Sequence, residues 1–523
     1  MWLYADIRNI ADIARYHARH APAKKALVEP RRALSFAGLD RASSGVGAGI
    51  AARGIAPGSN IGFAGKNSIE YFVALFGANK AGCAIAPFNW RLSVPELVAI
   101  VDDAQCPLVL VDREFAQTLQ AVQARCAHRF EIVVFDSTAD AADALPAHLG
   151  AAGQADPRVE AAPRATALLI YTSGTTGRPK GVQISHLGLS YMRLCEHMEP
   201  ALQWRADDVI MMIMPNFHLV GTGLSLQGLY NGCTVSILAA MDAGRLLEII
   251  QRDRPTICPL VPTAIQMLLD HPAASATDFS SLRLVMYAGA PIGSQLLKRA
   301  MREMKCRFMQ FYGATETSGA ATLLRPEQHD PDNEARLRSC GTPLPLIEIK
   351  IVDGAGNEVP PGATGEFLIR SPSLFEGYWK QPEATAAVLQ DGWYRSGDAG
   401  FRDAEGLYYI IDRVKDMIVT GGENVYSAEV EQALQKHPAV KMSAVVGTPD
   451  PRWGEKVTAV VVLAAGAAVT AEELIAHCRA HIAGYKVPKA IEFAEILPMT
   501  ATGKILKRAV RERYWQDRER AIG

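Results

Sequence analysis

The 523-residue sequence has no surplus of either charge: 54 Lys and Arg stand against 55 Asp and Glu, a net charge of −1 at neutral pH. Without a field of one sign, neither nucleic acid nor an anionic membrane is drawn to the chain as a whole. Long apolar runs are also lacking. The longest weakly polar stretch, Val457 to Val469, is interrupted by Thr458 and Gly466. It falls short of the roughly 20 residues of a membrane helix and reads as a buried strand with a turn. The N-terminal stretch MWLYADIRNIADIARYHARH mixes acids, bases and apolar residues, so it holds no signal-peptide core. The nine cysteines are scattered and odd in number, with no CxxC pair and no histidine spaced to complete a zinc site. They read as small buried hydrophobes of a reducing compartment. No repeat of solenoid period occurs, and the Ala/Asp-rich stretch Ser137 to Ala165 reads as a surface connection. These absences predict a soluble, cytoplasmic protein with no transmembrane segment and no nucleic-acid partner.

What is present is a core-forming composition, 49% hydrophobic and 21% charged. A chain of this length buries about three quarters of its unfolded surface. Up to about residue 411, short apolar strands alternate with helical stretches: Asn60–Ala64 with an amphipathic Ser68–Ala81, Leu108–Asp112 with Arg113–Arg125, Leu284–Tyr287 with Ser294–Met304. That alternation predicts α/β layers with parallel sheet and ligands at the carboxyl ends of strands; the expected fold class is α/β, a large N-terminal domain of α/β layers with mixed sheets. From about Asp412 the pattern changes to a small α+β domain. Ser427 is placed to cap a helix through Gln435, Val445–Gly447 and Val457–Leu463 read as strands, and Thr470 with Glu473 forms a capping box. Ile505–Arg520 reads as a charged helix with a solvated face. The expected boundary falls near Asp412–Lys415, dividing the chain into 1–411 and 416–523.

The strongest chemical signal is Tyr171-Thr-Ser-Gly-Thr-Thr-Gly-Arg-Pro-Lys180, directly after the strand Ala167–Ile170. Short hydroxyls, bare backbone N–H groups and a cation are what a polyphosphate requires. It is not a Walker loop, because GxxxxGK[ST] begun at Gly174 puts Pro179 where the second glycine belongs. The string resembles the phosphate loop of the AMP-forming adenylating enzymes, which include acyl- and aryl-CoA ligases, peptide-synthetase adenylation domains and luciferases. Further motifs follow in family order: Tyr312-Gly-Ala-Thr-Glu316, Tyr394-Arg-Ser-Gly-Asp398, Asp412-Arg-Val-Lys415, Gly421-Gly-Glu-Asn424 and Pro498-Met-Thr-Ala-Thr-Gly503-Lys504. The resemblance spans essentially the whole chain.

It implies an acid–CoA ligase that uses ATP, Mg2+ and coenzyme A, with a mobile small domain. Thr172, Ser173, Gly174, Thr175, Thr176, Gly177 and Lys180 would cradle the phosphates, and Glu316 would ligate the metal. Tyr312, Gly313 and Thr315 with the thin wall Gly289-Ala290-Pro291 would hold adenine, and Asp398 and Arg413 the ribose. Lys504 would be the catalytic cation of adenylation. Rotation about Lys415 would exchange it for the thiol-side loop Gly421, Gly422 and Glu423. His218, in Pro215-Asn-Phe-His218-Leu-Val-Gly221-Thr-Gly223, sits at the position of the acyl gate. That segment is small and uncharged, with no Arg or Lys to pair a second carboxylate. A medium- or long-chain fatty acid is the first expectation; a cinnamate- or benzoate-type acid, or a carrier-protein thiol as acceptor, is the alternative. A luciferase-like oxygenase and a non-catalytic binding protein rank behind these.

Overall fold

A computed structural model describes residues 6–138, 145–172, 179–421, 423–499 and 505–515. The chain forms two compact units. The first comprises Met1–Leu337, Gly341–Glu348 and Ile369–Tyr394; the second comprises Arg338–Cys340, Ile349–Leu368 and Arg395–Gly523.

Two mixed sheets build the first unit. The seven-stranded sheet runs, in spatial order, Gly377–Tyr378, Lys180–Ser185, Thr166–Thr172, Ala84–Pro87, Asn60–Ala64, Leu108–Asp112 and Glu131–Phe135. Its five strands from Thr166–Thr172 onward are parallel, and the two at the other edge are antiparallel. Asn60–Ala64 and Leu108–Asp112 are buried at every residue, which explains the apolar runs 61–64 and 108–111 within them: a parallel strand covered on both faces has no polar side to show. A nine-stranded sheet carries Leu284–Ala288 and Arg307–Ala314 side by side in parallel, and Gly319–Leu324 antiparallel to the latter.

The expected amphipathic helix is Ile69–Lys80, and it is not amphipathic: all 12 residues are buried. Its polar residues face partners instead of water. Glu70 takes both guanidinium nitrogens of Arg32, at 2.6 and 2.8 Å. Lys80 Nζ donates to Asp40 Oδ1 at 2.5 Å and to Ser44 Oγ at 2.8 Å. The helix lies so close to Phe36–Ala52 that a Cβ on Gly77 would sit 2.5 Å from Val46 Cγ1.

The second unit contains the strand Tyr408–Arg413, antiparallel to the preceding strand, and a sheet ordered Glu423–Val425, Ile418–Thr420, Gly454–Leu463, Val440–Asp450, with Ala490–Phe493 paired to Gly454–Leu463. The capping box Thr470/Glu473 opens the helix Ala471–Arg479. The helix Ser427–Gln435 forms, but Ser427 does not cap it. Ser427 Oγ donates to Asp412, and the same carboxylate accepts the Ala428 N–H at 3.2 Å. Within the expected C-terminal helix, Lys507–Glu512 is helical. Arg511 there is half-buried against Asp416 rather than solvated. All nine cysteines are free, seven of them buried. No helix among the described residues is long and apolar enough to cross a membrane.

Candidate active site

The phosphate-loop motif sits on a β-hairpin. Thr166–Thr172 pairs antiparallel with Lys180–Ser185, and Thr172 lies directly opposite Lys180 at its mouth. Ser173, Gly174, Thr175, Thr176 and Gly177 fall outside the described residues. Lys180 Nζ stands 4.7 Å over the ring of Tyr378, whose strand pairs with the Lys180 strand. Tyr378 Oη in turn donates to Glu316 Oε1 at 2.8 Å. Glu316 is buried in a single 3-10 turn, Thr315–Thr317. The turn is fixed from within: Thr317 Oγ1 accepts the Ala314 N–H at 3.0 Å and donates to the Gly319 carbonyl at 2.6 Å. Gly313 has to be glycine there, because a Cβ would lie 2.1 Å from the Gly319 carbonyl. Tyr312 precedes it on the strand Arg307–Ala314, opposite Thr322.

Gly289 follows the strand Leu284–Ala288 with φ 88°, a left-handed conformation that glycine adopts without steric cost. Gly289 and Pro291 are exposed and Ala290 half-buried. The expected wall is therefore an open turn at a strand's carboxyl end.

Tyr378 was not anticipated from the sequence. The available signal was Gly377-Tyr378, where Gly377 has φ 139°. The Glu316 carboxylate has one oxygen held by Tyr378, and the other takes no hydrogen bond from the described residues. A hard divalent cation fits such a group, with substrate phosphates supplying further oxygens. Among the described residues no three His, Cys, Asp or Glu gather to form a self-sufficient metal cage.

In the second unit Asp398 and Arg413 face each other across the strand pair Trp393–Arg402 and Tyr408–Arg413. Arg413 Nε lies 2.5 Å from Asp398 Oδ1. The two expected ribose contacts thus hold one another, which aims the carboxylate. Lys415 lies in the turn Val414–Asp416, and burial lowers its pKa against the attraction of Asp416. Gly421 has φ 60° and donates its N–H to the Trp453 carbonyl at 2.8 Å. Glu423 is exposed on the short strand that follows. Gly422 and Lys504 lie outside the described residues.

The acyl segment separates into two kinds of residue. His218 is the N-cap residue of the helix Leu219–Tyr230, its ring 4.8 Å from that of Phe217. Gly221 is small for packing: its Cβ would lie 2.4 Å from the Pro215 carbonyl and 2.5 Å from that of Met214. Thr222 spends its hydroxyl on the Asn216 carbonyl, 2.8 Å, and on Tyr71 Oη, 2.6 Å. Neither residue opens a tunnel. Gly223 differs, since a Cβ there would meet only Leu219 side-chain carbons, at 3.3 Å and beyond. Sequence spacing also hid a cation: Arg193 Nη1 lies 3.5 Å from the Gly223 carbonyl. Its charge is matched by Glu196 at 2.7 Å, whose carboxyl burial pushes up to about 7 while Arg193 opposes the rise.

Residues 14–379 match the AMP-binding enzyme family and residues 429–504 the AMP-binding enzyme C-terminal domain. A fatty acid–[acyl-carrier-protein] ligase of Streptomyces coeruleorubidus is 35% identical over 99% of this chain and 99% of its own. A feruloyl-CoA synthase of an Amycolatopsis species is 37% identical over 95% of this chain and 97% of its own. A long-chain-fatty-acid–CoA ligase of Mycobacterium tuberculosis is 32% identical, covering 97% and 99%. Among solved structures, o-succinylbenzoate-CoA synthetase of Bacillus subtilis in complex with its acyl-adenylate intermediate aligns with TM-score 0.84 and 29% identity over 95% of this chain and 97% of that one. ATP-bound MatB of Rhodopseudomonas palustris aligns with TM-score 0.87 and 28% identity over 97% and 99%.

Proposed function

The chain belongs to the AMP-binding enzyme family, and on that premise we propose that it joins a medium- or long-chain fatty acid to coenzyme A through an acyl adenylate. The activity is that of an acid–thiol ligase using ATP, Mg2+ and coenzyme A. In its first half a carboxylate oxygen attacks the α-phosphorus of ATP and pyrophosphate leaves. In its second a thiolate sulfur attacks the acyl carbonyl and AMP leaves. The first half brings anion to anion, so charge must be matched and the attack held in line.

The observation that carries this reading is the chain of contacts Lys180–Tyr378–Glu316 beside the mouth of the phosphate hairpin. Lys180 offers its charge to the phosphates, and Glu316, aimed by Tyr378, is the residue that would hold Mg2+. When bound, that ion neutralises phosphate charge and fixes the oxygens' geometry. Asp398, steadied by Arg413, reads the ribose diol. Lys504 supplies the cation between carboxylate and α-phosphate, a kind of donor whose loss costs roughly 10²–10³ in rate. The small domain follows the hinge 412–415, and turning about Lys415 replaces Lys504 by the loop from Gly421, where the Trp453 ring fills the space a Gly421 Cβ would take, 2.7 Å away.

For the acid, the support lies around Gly223: a Cβ there would meet only Leu219 side-chain carbons, and the nearby Arg193 is ion-paired with Glu196. A second carboxylate would have to compete with Glu196 for that arginine. An alkyl chain fits these terms. The feruloyl-CoA synthase relative keeps an aryl acid as the second reading, and the carrier-protein ligase relative keeps a protein-bound thiol as the second acceptor.

The test is pyrophosphate release with ATP and Mg2+ across straight-chain, cinnamic and benzoic acids, each with no thiol, with coenzyme A and with a phosphopantetheinylated carrier protein. Thioester formation peaking on straight-chain acids with coenzyme A supports the proposal. A peak on cinnamic acids, or turnover only with carrier protein, replaces it by the corresponding second reading.

A further inference from the structure

Buried ionic contacts tie together residues on the two sides of Lys415. Asp412, three positions before it, accepts from Ser427 Oγ at 2.6 Å and from the Ala428 N–H at 3.2 Å. Lys507 stands over the same pair. Its Nζ donates to Ser427 Oγ at 2.6 Å and lies 2.9 Å from Glu431 and 3.8 Å from Asp412. One helical turn on, Arg511 Nη1 donates to the carbonyl of Lys415 and to Asp416, each at 3.2 Å. None of these charged side chains is more than 18% exposed.

Asp412 lies on the strand Tyr408–Arg413, whereas Ser427 and Lys507 begin the helices Ser427–Gln435 and Lys507–Glu512. Hydrogen bonds of this length weaken steeply with small changes of distance and angle. A large turn of the backbone at Lys415 therefore separates Asp412 from both helices. Its carboxylate, buried here, then loses every partner beyond the hinge, and Lys507 loses one of its two carboxylates. A buried charge without its partner is costly, so the cluster favours the orientation in which it is made.

We propose that Asp412, Ser427 and Lys507 form a latch that holds the small domain in one of its two orientations. They are then positioning residues, setting the ratio of the two half-reactions without touching substrate. The proposal rests on the reading above, in which Lys415 is the hinge and Lys504 serves adenylation alone.

The two half-reactions are measured separately: acid-dependent exchange of pyrophosphate into ATP, and thioester formation from supplied acyl adenylate and coenzyme A. Asp412→Asn and Lys507→Met each shift the ratio of the two rates roughly 5- to 50-fold in the same direction. The double variant goes no further than the larger single one, and Lys507→Arg returns the ratio to within about twofold of wild type. Where Lys507→Met does not fold, Arg511→Gln takes its place beside Asp412→Asn. A ratio unchanged in folded variants, or equal losses in both halves, overturns the latch. Lys504→Ala is run alongside. If it loses adenylation alone, the hinge reading stands whatever the latch variants do; if it loses both halves equally, that reading fails and the latch with it.

Discussion

The phenolic oxygen of Tyr378 donates to Glu316 Oε1 at 2.8 Å, while the same ring lies 4.7 Å beneath the ammonium of Lys180. One side chain thus orients the carboxylate that would hold the metal and the cation that would meet the phosphates. Tyr378→Phe keeps the ring and removes only the donor. The Glu316 carboxylate is then free to rotate, and the expected result is a roughly 10-fold fall in adenylation with a higher Mg2+ requirement. Pyrophosphate exchange titrated with Mg2+ reads both. A variant with wild-type Mg2+ dependence removes Tyr378 from this role.

Asp398 and Arg413 make a prediction specific to the nucleotide. Arg413 Nε is 2.5 Å from Asp398 Oδ1, yet the arginine is 47% exposed. Solvent screening limits such a pair to about 1 kcal/mol. Arg413→Gln therefore raises the KM for ATP about fivefold, and the KM for the acid stays as it was. Steady-state kinetics in both substrates tests this, and an equal rise in the acid's KM contradicts it.

Local chemistry was legible in the sequence and long-range pairing was not. Strands such as Leu108–Asp112 were legible because burial on both faces leaves an apolar run, here 108–111. The Thr470/Glu473 box was legible because both partners lie within one turn. Helix Ile69–Lys80 misled because Glu70 and Lys80 look solvated until Arg32, Asp40 and Ser44 arrive from elsewhere in the chain. The cap of Ser427–Gln435 comes from Asp412, outside any local motif. Likewise Tyr378 reaches Glu316 across 62 residues. Small residues posed the reverse difficulty: Gly221, Thr222 and Gly223 read alike, and only packing separates them.

That separation is testable by a pair of substitutions. Gly221→Ala pushes a methyl against two backbone carbonyls, at 2.4 and 2.5 Å, which cannot give way cheaply. It lowers stability and reduces turnover of every acid alike. Gly223→Leu meets only flexible carbons of Leu219 at first contact. Placed beside the acyl chain, the added side chain lowers kcat/KM for long acids by about 10-fold or more relative to short ones. Chain-length profiles of the two variants distinguish the cases. A flat loss for Gly223→Leu contradicts its place beside the acyl chain.

His329 yields a stability prediction with a definite sign. The Arg325 carbonyl, 2.8 Å from Nδ1, can only accept, so Nδ1 carries the proton. Nε2 then accepts from Tyr287 Oη at 3.1 Å. The ring is neutral, and burial lowers its pKa to about 4 although the backbone hydrogen bond opposes the shift. Protonation would put a donor against the Tyr287 hydroxyl and a charge in a site only 7% exposed. A folded pKa below the unfolded value of about 6.5 means the unfolded chain binds the proton first. The stability contributed by the neutral ring is therefore present above pH 6.5 and is lost as pH falls toward 4. At pH 5 the loss amounts to about 2 kcal/mol. Unfolding free energies of wild type and His329→Asn, compared from pH 7.5 to 5, should converge by that amount. A gap that stays constant would mean that His329 titrates as it does in the unfolded chain.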